Sequence, residues 1–600
     1  MRWARAGRRA RLVVALTIAS SLSALWIVVV GGYGQGQPPN DLFALGQGSG
    51  DSPAMVPVVK RAEPPFVATP PPAKCDPGSK PEPTTDGRVP AGSATDGLWC
   101  NVQLVGHQGT EGGFKVFRYI DAHGHECAFY DTTLLFPLNA LNPGAGSEGV
   151  AVLDMSNPAH PVQTDTLTTT PMLSPHESLN LNEKRGLLAA VNGNLTTEPG
   201  FVSIYDVHDD CRHPVLDANG PYARFGHESG FSSDGKTFYA TSTALQSITA
   251  LDVTDPKNPR AIWHGDIFSH GMSLSDDGNR AYIADPGTGG DGNRNGQLLI
   301  LDTSQIQARK PDPQAREISR LTWKAASIPQ NAIPFTEGGH PYLLEIDEYT
   351  QATLHQGRDP DMVGAARIID ISDETKPFVV ANLRLQIDQP ADHKAATTAG
   401  DPGTGNAAQG YAAHYCNIPT SVDPKIVACS FIASGLRLFD ISDITHPKEI
   451  AYYVAPPQPR SENGNTESDF AMSKPAFAPE RREVWWTDGT SGFYVLRVNR
   501  DVWPQGAAAG CNDKRRFRFK LHHARGARVV RIEAFVNGKR VLRRRGHDIR
   551  AITIGHLPKG TFKVRIVSTQ SSGSRLVSTR TYRDCLKGKP RTRGHHAHRR

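Results

Sequence analysis

No G-x-S-x-G elbow, P-loop, H-E-x-x-H helix or paired C-x-x-C occurs in this 600-residue sequence, which weighs against serine hydrolases, nucleotide-dependent enzymes and zinc fingers. Apolar content is modest: 38% hydrophobic residues and a mean hydropathy of -0.41 describe a soluble chain with some unstructured portions. Long helices are not expected, because 57 Gly and 45 Pro favour turns. Acid is nearly missing from residues 511–600, which carry four Asp and Glu against 26 Lys and Arg. The other 510 residues reverse the balance, with 56 acids against 40 bases, so the formal net charge of +6 hides an acidic body and a basic end.

Six hundred residues exceed one compact domain, so at least two are expected. The N-terminus reads as a targeting segment over residues 1–30. Arg2, Arg5, Arg8, Arg9 and Arg11 precede an uncharged run from Leu12 to Val30, which suits either a signal peptide or an N-terminal membrane anchor. Both export the remainder, to be secreted or anchored to the outer face of the cytoplasmic membrane. Residues 31–97, with PPND, TPPPAK and PGSKPEPTTDGR, are too poor in apolar side chains to offset ordering entropy. They read as a disordered Pro/Gly-rich linker.

Internal repetition dominates residues 98–505. Asp154, Asp206, Asp252, Asp302, Asp370 and Asp440 each end a short apolar run such as AVLD, TALD, LILD or RLFD. Gly492 to Val498 is a further copy with Arg497 in place of Asp. The period of 46 to 70 residues fits four strands per copy, with insertions in two. Residues 411–453 show one such unit complete, in the runs HYCNIP, KIVACSF, LRLFDIS and KEIAYYV. Copies of this kind predict an all-β fold, a seven-bladed β-propeller with the first run of each blade innermost. A strand from residues 96–104 is available to close the ring. The repeat Asp residues are expected to accept backbone N–H bonds in the turns that follow them.

These motifs resemble the LVIVD-repeat family of β-propellers from bacterial and archaeal cell surfaces. The resemblance covers about residues 100–500 and implies the fold and an extracellular setting. It brings no catalytic residue.

Histidine recurs with the repeat. His107, His176, His227, His270, His340 and His414 each precede a strand leading toward a repeat Asp, and counting back in the last copy gives Ser473. Imidazoles converging from different blades would suit Cu, Zn, Fe or Ni, with Glu177 and Glu228 as oxygen ligands or bases. The bland reading is that each imidazole staples its blade to a neighbour's backbone. A separate loop, Asp291-Gly-Asn293-Arg-Asn295-Gly296, has the opening spacing of a calcium loop, though one carboxylate in three positions suits a plain hairpin as well.

Eight cysteines in an exported chain favour disulfides. Cys416 and Cys429 fall on adjacent strands and are expected to pair. Cys511 and Cys585 bracket the last domain. Cys75, Cys100, Cys127 and Cys211 leave three connectivities open. Between Cys511 and Cys585, alternating runs with Asn537-Gly538 as a hairpin turn predict a small immunoglobulin-like β-sandwich over residues 506–586, followed by a basic disordered tail over 587–600.

Two functions are compatible with this pattern. The first is an exported cell-surface scaffold, noncatalytic, which presents a binding surface to an unidentified protein or small-molecule ligand. Its basic domain would associate with an anionic envelope polymer or lipid rather than nucleic acid. The alternative is a metal-dependent enzyme, an oxidoreductase among the possibilities, with a histidine-lined channel and a transition metal as cofactor.

Overall fold

The computed structural model describes residues 58–60, 69–132, 149–193, 199–242, 246–286, 297–323, 327–351, 359–406, 409–458, 468–504, 517–521, 527–555, 557 and 562–582. The described residues all belong to one unit, Asp51–Arg600. The N-terminal apolar run, the calcium-like loop at Asp291, Asn293 and Asn295, Cys511, Cys585 and the tail 587–600 lie outside the described residues. Among the described residues, no helix is long and apolar enough to cross a membrane.

The architecture is all-β, built of four-stranded antiparallel sheets in the manner of a β-propeller. In chain order the first sheet runs from Val116–Ile120 to Val162–Leu167 and the second from Asn180–Asn182 to Val215–Ala223. The third spans Glu228–Phe231 to Arg260–Gly265, the fourth Gly271–Leu274 to Arg316–Thr322, and the fifth Ile328–Glu337 to Phe378–Leu383. The sixth contains Ala413–Asn417, Ile426–Phe431, Gly435–Asp440 and Lys448–Val454. The seventh takes three strands from the C-terminal side, ending at Gly492–Val498, and its fourth from Val102–Gln108. Pairing strands from opposite ends of the repeat region removes a sheet edge that would otherwise stay open.

Alternation along the strands places apolar side chains between successive sheets. Phe129, Val152 and Leu167 of the first sheet share a cluster with Leu188 and Tyr205 of the second, and comparable clusters join each following pair. The series closes on itself, because Trp485, Phe493 and Val495 of the seventh sheet pack with Val116, Ala128 and Leu153 of the first.

The repeat motif has a clear physical role. Oδ1 of Asp154, Asp206, Asp252, Asp302, Asp370 and Asp440 accepts the backbone N–H two residues on, at 2.7–3.0 Å. These are turns closed by a side chain, so the carboxylates are engaged in folding the chain.

The disorder expected of residues 31–97 does not hold for residues 69–97. Cys75 is bonded to Cys100, Leu98–Cys100 adds a fifth strand to the sixth sheet, and Val89, Ala94 and Leu98 bury themselves against Val454. A covalent link and pairing to a ready-made sheet edge supply what the segment's own apolar content lacks. Cys416 pairs with Cys429 across adjacent strands, and Cys127 with Cys211, which selects one of the three open connectivities. Three disulfides hint at an oxidising, extracytoplasmic setting.

Towards the C-terminus, Phe517–Lys520 pairs with Ala551–Ile554, and a second sheet runs Lys539–Arg545, Val529–Val536, Phe562–Gln570, Arg575–Tyr582. Ile532 and Ile566 of one sheet share a core with Ile552 and Ile554 of the other. Asn537 and Gly538 both have positive φ, at 47° and 81°, as a two-residue hairpin turn requires. The edge strand Lys539–Arg545 exposes Lys539, Arg540, Arg543, Arg544 and Arg545, with Glu533 the acid that Arg540 and Arg543 approach.

Candidate metal centre

Side chains from sheets that are not neighbours meet at the centre of the ring. Glu177, leading into the second sheet, accepts a hydrogen bond from Gln330 Nε2 of the fifth at 2.6 Å. Lys115, entering the first sheet, pairs with Glu228 of the third at 2.7 Å. The repeat explains this convergence: each unit starts its innermost strand beside the axis, so residues at equivalent points in each copy face one another.

Four of the six histidines arrive there. His227, His270 and His414 are buried, while His176 keeps about a quarter of its side chain exposed. Three imidazole nitrogens surround one oxygen: Glu177 Oε2 lies 3.2 Å from His227 Nε2, 3.5 Å from His270 Nδ1 and 3.8 Å from His176 Nδ1. All four atoms are buried and lack a well-formed hydrogen bond, an arrangement that is costly when no cation joins the set. One ligand atom each from His176, His227 and Glu177 lies within 4.8 Å of the other two. Metal–ligand bonds of about 2.1 Å in a tetrahedral site put ligand atoms about 3.4 Å apart, so small adjustments would complete the set.

Backbone contacts decide which nitrogen is available. His227 Nδ1 stands 3.2 Å from the Gly193 carbonyl oxygen and His414 Nδ1 stands 2.8 Å from that of Met472. A carbonyl only accepts, so each Nδ1 carries a proton and Nε2 turns to the channel, the orientation found in metal-binding histidines. The staple expected of a structural histidine is therefore present, and it leaves the second nitrogen free for chemistry. His176 is held by strain instead: its φ of 49° is a left-handed conformation that costs about 1–2 kcal/mol in a residue with a β-carbon.

The charges are mutually adjusted. Burial, reinforced by the neighbouring His227, lowers the His176 pKa to about 3 and keeps that imidazole neutral. Burial would also lower His270, but Glu177 and Glu348 outweigh it and raise the group to about 9. His270 consequently sits as a cation between two carboxylates, with Nε2 2.8 Å from Glu348 Oε1. Burial pushes Glu177 upward, yet the charge of His270 holds it well below the usual range. Glu228 behaves oppositely: burial prevails over Lys115 and raises it.

Phe114 lies against the rings of His176 and His414, at 4.5 and 5.4 Å between centroids, giving the cluster an apolar wall. Lys474 enters beside Lys115 through a parallel backbone bridge. Burial first, then repulsion from Lys115, lowers its pKa to about 8.

Two histidines do not belong to this centre. His107 lies on Val102–Gln108, the outermost strand of the seventh sheet, and is exposed, with Nε2 2.6 Å from the Ser491 carbonyl. His340 opens the second strand of the fifth sheet, nearly half exposed, and pairs with Asp370 at 2.8 Å. Both lie on strands, and neither strand is innermost. The channel position of the fifth sheet belongs to Gln330, on Ile328–Glu337. Glu348, Lys115, Phe114 and Lys474 were also missed by the histidine pattern. Gln330 and Phe114 stand 40 residues before their repeat Asp, against 25 to 32 for the four converging histidines, so a count along the repeat does not reach them.

Residues 145–169 match the LVIVD repeat. The LVIVD repeat here spans Val150–Asp154 and Val162–Leu167, the last two strands of the first sheet, so its consensus describes a strand and a turn rather than the channel. No curated protein matches the chain. Whole-fold likeness to solved structures is weak. The periplasmic gluconolactonase PpgL of Pseudomonas aeruginosa aligns at 15% identity over 60% of this chain and 91% of its own, with a TM-score of 0.42. A chain of the mitotic checkpoint complex aligns at 10% identity over 66% and 94%, TM-score 0.39. A functionally unknown protein of Desulfotomaculum acetoxidans DSM 771 aligns at 10% over 60% and 89%, TM-score 0.36. Likeness at this level assigns no activity.

Proposed function

We propose that this chain is an exported metal-dependent enzyme, a seven-bladed propeller over residues 98–505 with a transition-metal centre on its axis. The observation that carries this reading is the buried set of His176 Nδ1, His227 Nε2 and Glu177 Oε2, convergent and without hydrogen-bond partners of good geometry among the described residues. Two imidazoles and one carboxylate leave positions open for water or substrate, the ligand set of catalytic zinc and of nonhaem iron sites. Oxidoreductase chemistry follows if the ion is redox-active. His176, the partly exposed ligand, marks the side from which a substrate reaches the ion.

Elemental analysis of protein purified without a His tag tests the reading. About one equivalent or more of transition metal per chain is expected, with the His176→Ala/His227→Ala pair losing the ion held by that triad while the far-ultraviolet circular dichroism stays unchanged. Absence of metal, with the paired variant losing stability instead, would favour the noncatalytic scaffold. That second reading draws on the staples from His227 to Gly193 and from His414 to Met472.

In the same proposal, residues 506–586 form an immunoglobulin-like sandwich that associates with anionic envelope polymer, leaving the protein secreted or held on the outer face of the membrane by residues 1–30. The exposed cations of Lys539–Arg545 support this role, and such contacts weaken with salt. Retention on a heparin column is expected to vanish when residues 511–600 are deleted; retention that persists excludes the basic domain as the contact.

A further inference from the structure

The metal reading concerns one oxygen of Glu177. Its other oxygen faces a second group of ligands. One ligand atom each from Glu177, Glu348 and His414 lies within 4.8 Å of the other two, with His414 Nε2 3.4 Å from Glu177 Oε1 and 2.9 Å from Glu348 Oε2. The Met472 carbonyl takes the Nδ1 proton of His414, so Nε2 is the nitrogen turned to the two carboxylate oxygens. An imidazole nitrogen and two carboxylate oxygens then converge in a buried space, a donor set that suits a cation.

Gln330 stands where that cation would be. Its amide nitrogen is 2.6 Å from Glu177 Oε1, 3.4 Å from His414 Nε2 and 3.5 Å from Glu348 Oε2. Its amide oxygen is buried with no partner of its own. Turning the amide over would satisfy this arrangement with an ion present, because the oxygen then becomes a fourth ligand.

We propose that the channel holds two metal ions bridged by Glu177, the first with His176 and His227, the second with Glu348, His414 and the Gln330 amide oxygen. This inference rests on the reading that the His176–Glu177–His227 triad binds a metal. Two-metal sites hold their ions about 3.5–4 Å apart and act on both the attacking and the leaving atom of a substrate. His270 is then a positioning residue: it faces Glu177 Oε2 with one nitrogen and Glu348 Oε1 with the other, and so fixes the oxygen each carboxylate turns to each ion. A mix of imidazole and carboxylate ligands suits first-row divalent ions such as zinc, iron or cobalt.

Metal-stripped full-length protein titrated with zinc chloride should bind two equivalents per chain. Glu348→Gln and His414→Ala should each bind one, His176→Ala should keep one that depends on His414, and Glu177→Gln should bind none. Cobalt-loaded protein should show magnetic coupling between two ions, and Glu348→Gln should abolish it. One equivalent in the wild type, lost in His176→Ala/His227→Ala but kept in Glu348→Gln, overturns the second site and leaves the first standing. No binding by the wild type overturns both. Two equivalents retained by a folded Glu348→Gln protein would place the second ion elsewhere. Should His414→Ala fail to fold, Glu348→Gln decides, since it changes one atom and no volume.

Discussion

Gly271→Ala is expected to destabilise the protein by about 3 kcal/mol and to abolish the zinc binding proposed for the channel cluster. Gly271 opens the innermost strand of the fourth sheet, directly after His270. A β-carbon there would lie 1.4 Å from Glu228 Oε2 and 2.3 Å from the Gln330 backbone oxygen. The carboxylate cannot simply swing away, because its other oxygen is held by Lys115 at 2.7 Å and by Asn331 at 2.8 Å. The carbonyl belongs to the adjacent innermost strand, so relief requires the fourth and fifth sheets to separate. Separation displaces His270 and the Gln330 amide together, which is why the same substitution should lower both denaturant resistance and zinc stoichiometry. Gly78, with nothing within 4 Å of its β-carbon position, provides the control, and Gly78→Ala should stay within about 0.5 kcal/mol. The Gly271→Ala/Glu228→Ala double variant should recover part of the loss, since it removes the closer of the two collisions. A denaturation midpoint for Gly271→Ala equal to the wild type would show that the axis is looser than these distances require.

How much of this could be read before the fold was seen depends on which forces repeat along the chain. The turn-closing Asp residues were legible because each uses local geometry: the same carboxylate meets the same N–H two residues on in every copy, from Asp154 to Asp440. The pairing of Cys416 with Cys429 was legible for a related reason, since two adjacent strands with a short connection bring them together. Histidine recurrence pointed to the axis in four copies and misled in two. His107 and His340 recur with the repeat as the others do, but the period does not say which strand of a sheet is innermost when one strand comes from the far end of the repeat region. That long-range pairing, Val102–Gln108 with Gly492–Val498, also explains why Phe114 and Lys115 were passed over.

Glu348 and Gln330 were illegible for a different reason. Their roles depend on facing Glu177, 171 and 153 positions away, through a register that long-range packing of the sheets creates. No local pattern encodes such a meeting. Glu177 and Glu228 did carry a local signal, the shared His-Glu-Ser, yet their environments push them apart: one is held ionised by His270, the other raised by burial. Identical tripeptides thus yield different chemistry because the facing residue differs, Gly271 and Lys115 for one and four imidazoles for the other.

Arg437→Ala is expected to cost about 3–5 kcal/mol and to release residues 69–100 from the sixth sheet. Arg437 is fully buried on Gly435–Asp440. Its Nη2 donates to Glu82 Oε2 at 2.8 Å, its Nη1 to Glu449 Oε1 at 3.0 Å and its Nε to the Ser434 carbonyl at 2.8 Å. The guanidinium also stacks over Tyr452 at 4.4 Å, whose hydroxyl accepts the Glu82 N–H at 2.8 Å. Glu82 lies in the Pro-rich segment and is itself tied to Gly87 N–H, while Glu449 accepts from Ala73 N–H at 3.1 Å. The arginine is therefore the hinge-pin between a segment poor in apolar residues and the ring. Truncating it leaves two carboxylates in a buried site with no cation, and Glu82, already raised by burial despite Arg437, would take up a proton or draw in water. Hydrogen exchange should quicken across residues 69–100 while the first to fifth sheets keep their protection, because Glu82, Arg437 and Glu449 belong to this segment and the sixth sheet. Salt should affect the loss little, since the charges are out of reach of screening ions. Replacing Glu82, Arg437 and Glu449 together by apolar residues of similar volume should restore much of the stability, as removal of a whole buried ionic group is tolerated better than removal of one member. Unchanged exchange in residues 69–100 of a folded Arg437→Ala protein would mean that the disulfide and strand pairing hold the segment without the triad.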